Sequence, residues 1–184
     1  MKKVVAIGIV ATLALSRFNV FAGKDGSNYV GIQYAISTYS EDGISEDLNP
    51  TALIGRLGTK ISDNFSIEAR AGIGLQDDTV NVSGIDATLD IDSLLGVYGI
   101  GHISVNESTS VYGLLGITRA EASVSLPDYP SFGSVSNDET GLSYGVGVDI
   151  GVSNDVALNI EYAQYLSKSD FDVSALSFGL KFGF

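Results

Sequence analysis

The chain has 184 residues, a formal net charge of −12 at pH 7, 45% hydrophobic residues and no cysteine. So acidic a surface repels a phosphate backbone and excludes electrostatic nucleic-acid binding. The missing thiols exclude a disulfide framework and thiolate metal sites, so a single domain of this length must be held together by other means.

Lys2 and Lys3 precede an apolar run over residues 4–15, and Val20-Phe21-Ala22 places small residues at positions −3 and −1 of a cleavage site before Gly23. This is the pattern of a secretory signal peptide. The apolar run is shorter than the about 20 residues that a helix needs to cross a bilayer. The expected division is a cleaved signal peptide over residues 1–22 and a mature domain over residues 23–184. With Ala22 and Gly23 at the junction in place of a cysteine, no lipid anchor is expected. Cleavage removes three positive charges, Lys2, Lys3 and Arg17, and moves the net charge from −12 to −15.

The mature segment carries no amphipathic helical stripe. It shows period-2 alternation in pieces near the about 9–11 residues of a membrane-crossing strand. The first piece, residues 29–40, sets Val30, Ile32, Tyr34 and Ile36 against Gly31, Gln33, Ala35 and Ser37. A second spans residues 51–61. A third, over 65–76, sets Phe65, Ile67, Ala69, Ala71, Ile73 and Leu75 against Ser66, Glu68, Arg70, Gly72 and Gly74. A fourth covers about residues 88–103 and a fifth about 110–122. The sixth, 140–152, opposes Leu142, Tyr144, Val146, Val148 and Ile150 to Gly141, Ser143, Gly145, Gly147, Asp149 and Gly151. The seventh is 156–166. The eighth, 173–184, aligns Leu176, Phe178, Leu180, Phe182 and Phe184. The second, fourth and fifth pieces alternate too weakly to fix which residues face which way.

Ser62-Asp63-Asn64, Asn106-Glu107-Ser108 and Ser153-Asn154-Asp155 have turn composition. The connections over 41–50, 77–87, 121–139 and 167–172 are longer. Eight strands with short turns on one side and long loops on the other predict an all-β fold. The expected architecture is an eight-stranded antiparallel up-and-down transmembrane β-barrel with both termini on the turn side, in the periplasm.

A soluble barrel would alternate too, with its apolar face inward. The polar face decides: it carries Gly, Ser, Ala and Gln with few charges, where a water-facing surface would carry many Lys, Glu and Thr. The narrow lumen of an eight-stranded barrel suits small residues and a few paired polar ones, so the apolar face is expected to meet lipid. Glu68, Arg70, Asp149, Glu161 and Lys181 all fall on the polar phase. Enclosed charges need partners. Glu68 with Arg70, and Lys181 with Asp149 or Glu161, are candidate pairs, and Arg56 is a candidate to join them. The expectation is a lumen polar network that fills the barrel; a gated ion path is the sharper alternative.

Phe178, Leu180, Phe182 and Phe184 resemble the assembly signal that barrel-assembly machinery reads at the end of outer-membrane proteins. The run from Val111 to Ile117, and Tyr144 to Ile150 with Ser153-Asn154-Asp155 and Ile160-Glu161-Tyr162, resemble strands of the OmpA/OmpX-type eight-stranded barrel family. The resemblance covers the mature segment and rests on Gly, aromatic and turn positions. It implies a Gram-negative outer membrane, with outer-membrane lipid and lipopolysaccharide as neighbours. With the sequence ending at the eighth strand, no peptidoglycan-binding domain is expected.

His102 is the single histidine and is expected near the periplasmic end of its strand. Lipid-modifying outer-membrane enzymes place their site toward the outer leaflet, so His102 is poorly placed for a Ser–His–acid set. The Gly99, Gly145 and Gly147 runs lie within strand alternation with no helix after them, unlike phosphate loops. Asp77-Asp78 and Asp90 with Asp92 lack calcium-loop spacing. No catalysis, cofactor or metal site is expected.

The long loops concentrate carboxylates, among them Glu41, Asp42, Glu46, Asp47, Asp128, Asp138 and Glu139. The segment from Leu126 to Phe132 bears the loop aromatics Tyr129 and Phe132, which are the candidate partner contacts. The expected role is that of a monomeric surface protein. It would present acidic loops to a host or surface partner. A narrow porin-like channel is the alternative, and an outer-membrane lipid-modifying enzyme a more distant one.

Overall fold

A computed structural model describes residues 28–41, 48–82, 85–125, 134–168 and 171–184. The expected signal peptide and the loop aromatics Tyr129 and Phe132 lie outside the described residues. Among the described residues nine strands form: β1 (Asn28–Glu41), β2 (Thr51–Ser62), β3 (Phe65–Gln76), β4 (Asp78–Val82), β5 (Ile85–Ser104), β6 (Thr109–Ser125), β7 (Ser134–Gly151), β8 (Val156–Ser167) and β9 (Phe171–Gly183). β4 follows β3 after Asp77, and both pair with β5. The last strand closes on the first, from Tyr29↔Gly183 to Glu41↔Phe171. The result is a closed antiparallel eight-stranded barrel.

Closure leaves no sheet edge within the bilayer, which lets a strand fold exist in hydrocarbon. The pleat then sorts side chains by parity. Ile32, Tyr34, Ile67, Leu115, Ile117, Val146, Tyr162, Phe178 and Leu180 point outward and are exposed. Gln33, Ser66, Glu68, Thr118, Ser143, Glu161 and Ser177 point inward and are buried. In water this outer band would be one continuous apolar patch; in lipid it is the matching surface. The three weakly alternating segments also acquire a facing. Ala52, Ile54 and Arg56 point inward on β2, Leu94, Tyr98 and Ile100 on β5, and Tyr112, Leu114 and Thr118 on β6.

β5, β6 and β7 run for 20, 17 and 18 residues, well beyond the about 9–11 that span a bilayer. Their outward faces change character at one level. Ile117 pairs with Leu142, but the next outward partners are Arg119↔Thr140, Glu121↔Asp138 and Ser123↔Ser136. The sheet therefore continues past the lipid into water on the loop side. This corrects two expectations: residues 78–82 and 85–87 are paired strands, and strand also covers 121–125 and 134–139. The polar composition there reads as loop because the outward face meets water and not lipid. The ladder established below carries the weak strand propensity of Ser, Asn and Asp. On the opposite side the turns are tight: Asn106 Oδ1 accepts from the backbone N–H of Ser108 at 2.9 Å and of Thr109 at 2.8 Å.

A charged belt across the lumen and an apolar chamber at its mouth

Four charges from three strands meet in the middle of the lumen. Arg56 on β2 donates to Glu68 on β3 through Nε and Nη2, each at 2.8 Å. Arg70, also on β3, donates to the same carboxylate through Nε at 2.6 Å. It then reaches across the barrel to Glu161 on β8, through Nη1 at 2.5 Å and Nη2 at 2.8 Å. Both arginines thus make two-pronged contacts, the strong geometry for guanidinium and carboxylate. All four residues are buried. Enclosed charges survive only when paired and hydrogen-bonded, and here two cations alternate with two anions.

Lys181 on β9 and Asp149 on β7 make a separate ion pair closer to the turns. Asn159 joins the two groups. Its Nδ2 donates to Asp149 Oδ1 at 2.7 Å, and its Oδ1 accepts from Arg56 Nη1 at 2.9 Å. The geometry links Arg56, Glu68, Arg70, Asp149, Glu161 and Lys181 with no net charge; Lys181 meets Asp149 and not Glu161.

Tyrosines complete the belt. Tyr112 Oη donates to Glu161 at 2.6 Å, and Arg70 Nη1 lies 3.1 Å from Tyr165 Oη. The Arg70 guanidinium stacks over the Tyr98 ring at 4.6 Å. Tyr98 Oη meets Thr118 Oγ1 at 2.6 Å, which in turn meets Ser143 Oγ at 2.6 Å. These rings fit because the inner wall carries glycines beside them. A Cβ on Gly58 would fall 2.1 Å from Tyr29 Cζ, and one on Gly147 2.3 Å from Tyr112 Cζ. Sequence reading missed Asn159 and the inward tyrosines; parity marks Asn159 and Tyr165, whereas Tyr98 and Tyr112 lie on the weakly alternating β5 and β6. On β8, Asn159, Glu161 and Tyr165 share the inward phase, while Tyr162 has the other.

The belt divides the lumen. On the turn side is a polar vestibule of about 660 Å³, lined by Lys60, Asp149, Asp155 and Lys181 among others. On the loop side is a chamber of about 260 Å³ with a mostly apolar wall, including Ala52, Ile54, Leu89, Leu94 and Phe171. His102 lies on the turn side of the belt. Its Nε2 is 2.8 Å from Ser66 Oγ, which also meets Tyr29 Oη at 3.3 Å. Ser66 is fully buried there, so this contact fastens the inner wall of the barrel. Asp78 is used structurally as well: its carboxylate accepts from the backbone N–H of Asn49 at 2.7 Å and of Thr79 at 2.9 Å. Phe178, Leu180, Phe182 and Phe184 form an outward, lipid-side row along β9 and just past it.

Known proteins share this frame. The attachment invasion locus protein of Yersinia pseudotuberculosis is 27% identical over 187 residues, which covers 100% of this chain and 97% of that one. The crystal structure of the Yersinia pestis attachment invasion locus protein in complex with the heparin analogue sucrose octasulfate superposes with a TM-score of 0.64. It is 24% identical and covers 87% of this chain and 99% of that one. The crystal structure of Neisserial surface protein A matches with a TM-score of 0.64 at 19% identity, covering 85% of this chain and 97% of that one. The family model for the outer membrane protein beta-barrel domain matches residues 4–184, so this chain, with its lipid-facing band and closed strand ladder, belongs to that family of the bacterial outer membrane.

Proposed function

We propose that the barrel anchors a strand-built acidic platform at the cell surface, through which the cell contacts the basic face of a protein partner. The observation that carries this is the extension of β5, β6 and β7 past the lipid-facing band, where outward residues turn from Leu and Ile to Glu121, Asp138, Ser123 and Ser136. A membrane anchor alone does not need those extra turns of ladder. The platform carries Asp78, Asp92, Glu121, Asp138, Glu139 and Asp172, with Arg119 and Lys168 as the nearby bases. Both bases are engaged, Arg119 with Asp138 at 3.1 Å and Lys168 with Glu139 at 3.4 Å.

The likeness to attachment invasion locus proteins supports a contact role. Chemistry sets a difference: the relative's partner in the crystal is a polyanion analogue, whereas this acidic rim repels polyanions and steers cationic surfaces toward itself. Neighbouring lipopolysaccharide is accommodated by shared divalent cations between its phosphates and the rim carboxylates. The outward row Phe178, Leu180, Phe182 and Phe184 serves as the segment read by the barrel-assembly machinery.

The test is adherence of a non-adherent Gram-negative host expressing the barrel to epithelial monolayers. Wild type is compared with the triple variant Glu121→Lys, Asp138→Lys, Asp172→Lys at matched surface level. Wild type is expected to confer adherence that added salt weakens, and the triple variant to lose most of it. Equal adherence by the two, or none by wild type, overturns the reading.

A further inference from the structure

Eight-stranded barrels are normally filled by their own side chains. Here the loop-side part of the lumen keeps about 260 Å³ because small residues, Ala52, Ala120 and Ala122, stand where larger ones would close it. The floor is Ile54 and Leu94, both buried, and Tyr39 and Phe171 stack at 5.7 Å along one wall. The belt below spends its hydrogen bonds on itself. Water in the chamber therefore finds few partners and is readily displaced by an apolar group. The mouth is different: Glu121 and Glu139 lie on its rim, with Lys168 3.4 Å from Glu139 and Arg119 turned to Asp138.

We propose that this chamber binds the aliphatic tail of a small cationic amphiphile, tail on Ile54 and Leu94 and head at the rim carboxylates. At roughly 30 Å³ per atom, the share of one water in the liquid, 260 Å³ holds about eight or nine heavy atoms. That is a chain of about eight carbons, or an alkyl-substituted ring, with the head outside. Apolar cavities of only about 150 Å³ already bind benzene. The acidic rim selects against a fatty acid and for an ammonium head by simple charge complementarity. The chamber shares only its rim carboxylates, Glu121 and Glu139, with the acidic platform, and its apolar floor takes no part in adherence, so failure of tail binding would leave the adherence reading intact.

The experiment is calorimetric titration of the full barrel in phosphatidylcholine nanodiscs with octyltrimethylammonium and with octyl sulfate, referenced to protein-free nanodiscs. Octyltrimethylammonium is expected to bind saturably, and octyl sulfate about tenfold or more weakly. Ala52→Phe fills the floor and is expected to weaken binding by about tenfold or more. Ala122→Phe, nearer the mouth, does the same if Ala52→Phe fails to fold. Folding is checked by the shift between boiled and unboiled bands on a gel. Heat no greater than from protein-free nanodiscs, wild-type binding by a folded filling variant, or equal binding of the two head charges overturns the proposal.

Discussion

Arg56 and Arg70 are direct cross-strand partners on β2 and β3, both buried and both pointing into the lumen. Like charges placed opposite one another destabilise a sheet. The pairing persists because Glu68 lies between them and accepts from both. Glu68→Gln should therefore cost more than an ordinary polar substitution, about 3–5 kcal/mol, the scale for stranding buried charges. Guanidinium unfolding of the barrel in lipid vesicles measures it. Replacing all four belt charges, Arg56, Glu68, Arg70 and Glu161, together by apolar residues strands none of them and should cost less than Glu68→Gln alone.

The Tyr112 ring rests where Gly147 has no side chain. Gly147→Ala would put a Cβ 2.4 Å from Tyr112 Oη and push that hydroxyl off Glu161. A loss of about 1–3 kcal/mol is expected from such overpacking. Gly101→Ala, whose Cβ meets nothing within 4 Å, is the matched control and should leave the unfolding midpoint near wild type.

The level at which the outward face turns polar predicts a depth profile. Leu115→Arg places a cation on the lipid face near mid-bilayer and should cost about 2–4 kcal/mol, while Glu121→Arg should cost about 0–1 kcal/mol. Equal costs at the two sites would move the lipid boundary from where the β6–β7 pairs place it.

The vestibule and the loop-side chamber lie on opposite sides of a belt of interlocked side chains. Wild-type barrel in planar bilayers should show no regular stepwise conductance. The double variant Arg70→Ala, Glu161→Ala removes the cross-lumen strut and should introduce small openings. Large, regular openings by wild type would make the barrel a pore.

Residues 1–22 are proposed as the cleaved signal peptide. Intact mass of the barrel purified from outer membranes should then correspond to a chain beginning at Gly23.

The outer wall was legible in sequence wherever the inner wall was polar. On β1, β3, β7 and β9, Gln33, Glu68, Asp149 and Ser177 alternate with apolar neighbours, and period 2 stands out. On β2, β5 and β6 it fades, because Ala52, Ile54, Leu94, Ile100 and Leu114 point inward and are as apolar as the lipid-facing residues beside them. The residues that erase the signal include those that line the loop-side chamber. Charges with a clear parity were legible as lumen residues. The joining role of Asn159, and the tyrosines threaded through the belt, depended on distances across the barrel that local spacing does not contain. The length of β7 was hidden for another reason: above the lipid, alternation has nothing to alternate between.

The seam between β1 and β9 sets a condition on biogenesis. Apart from β3, which skips the short β4 to pair with β5, strands pair with their sequence neighbours except at this junction, where the earliest strand must find the latest across thirteen paired positions. No part of the wall can close until that meeting occurs, and contacts so distant in sequence form slowly. A half-emerged chain would expose backbone groups that hydrocarbon cannot satisfy. Closure of the wall therefore waits on the arrival of β9, the last strand of the chain.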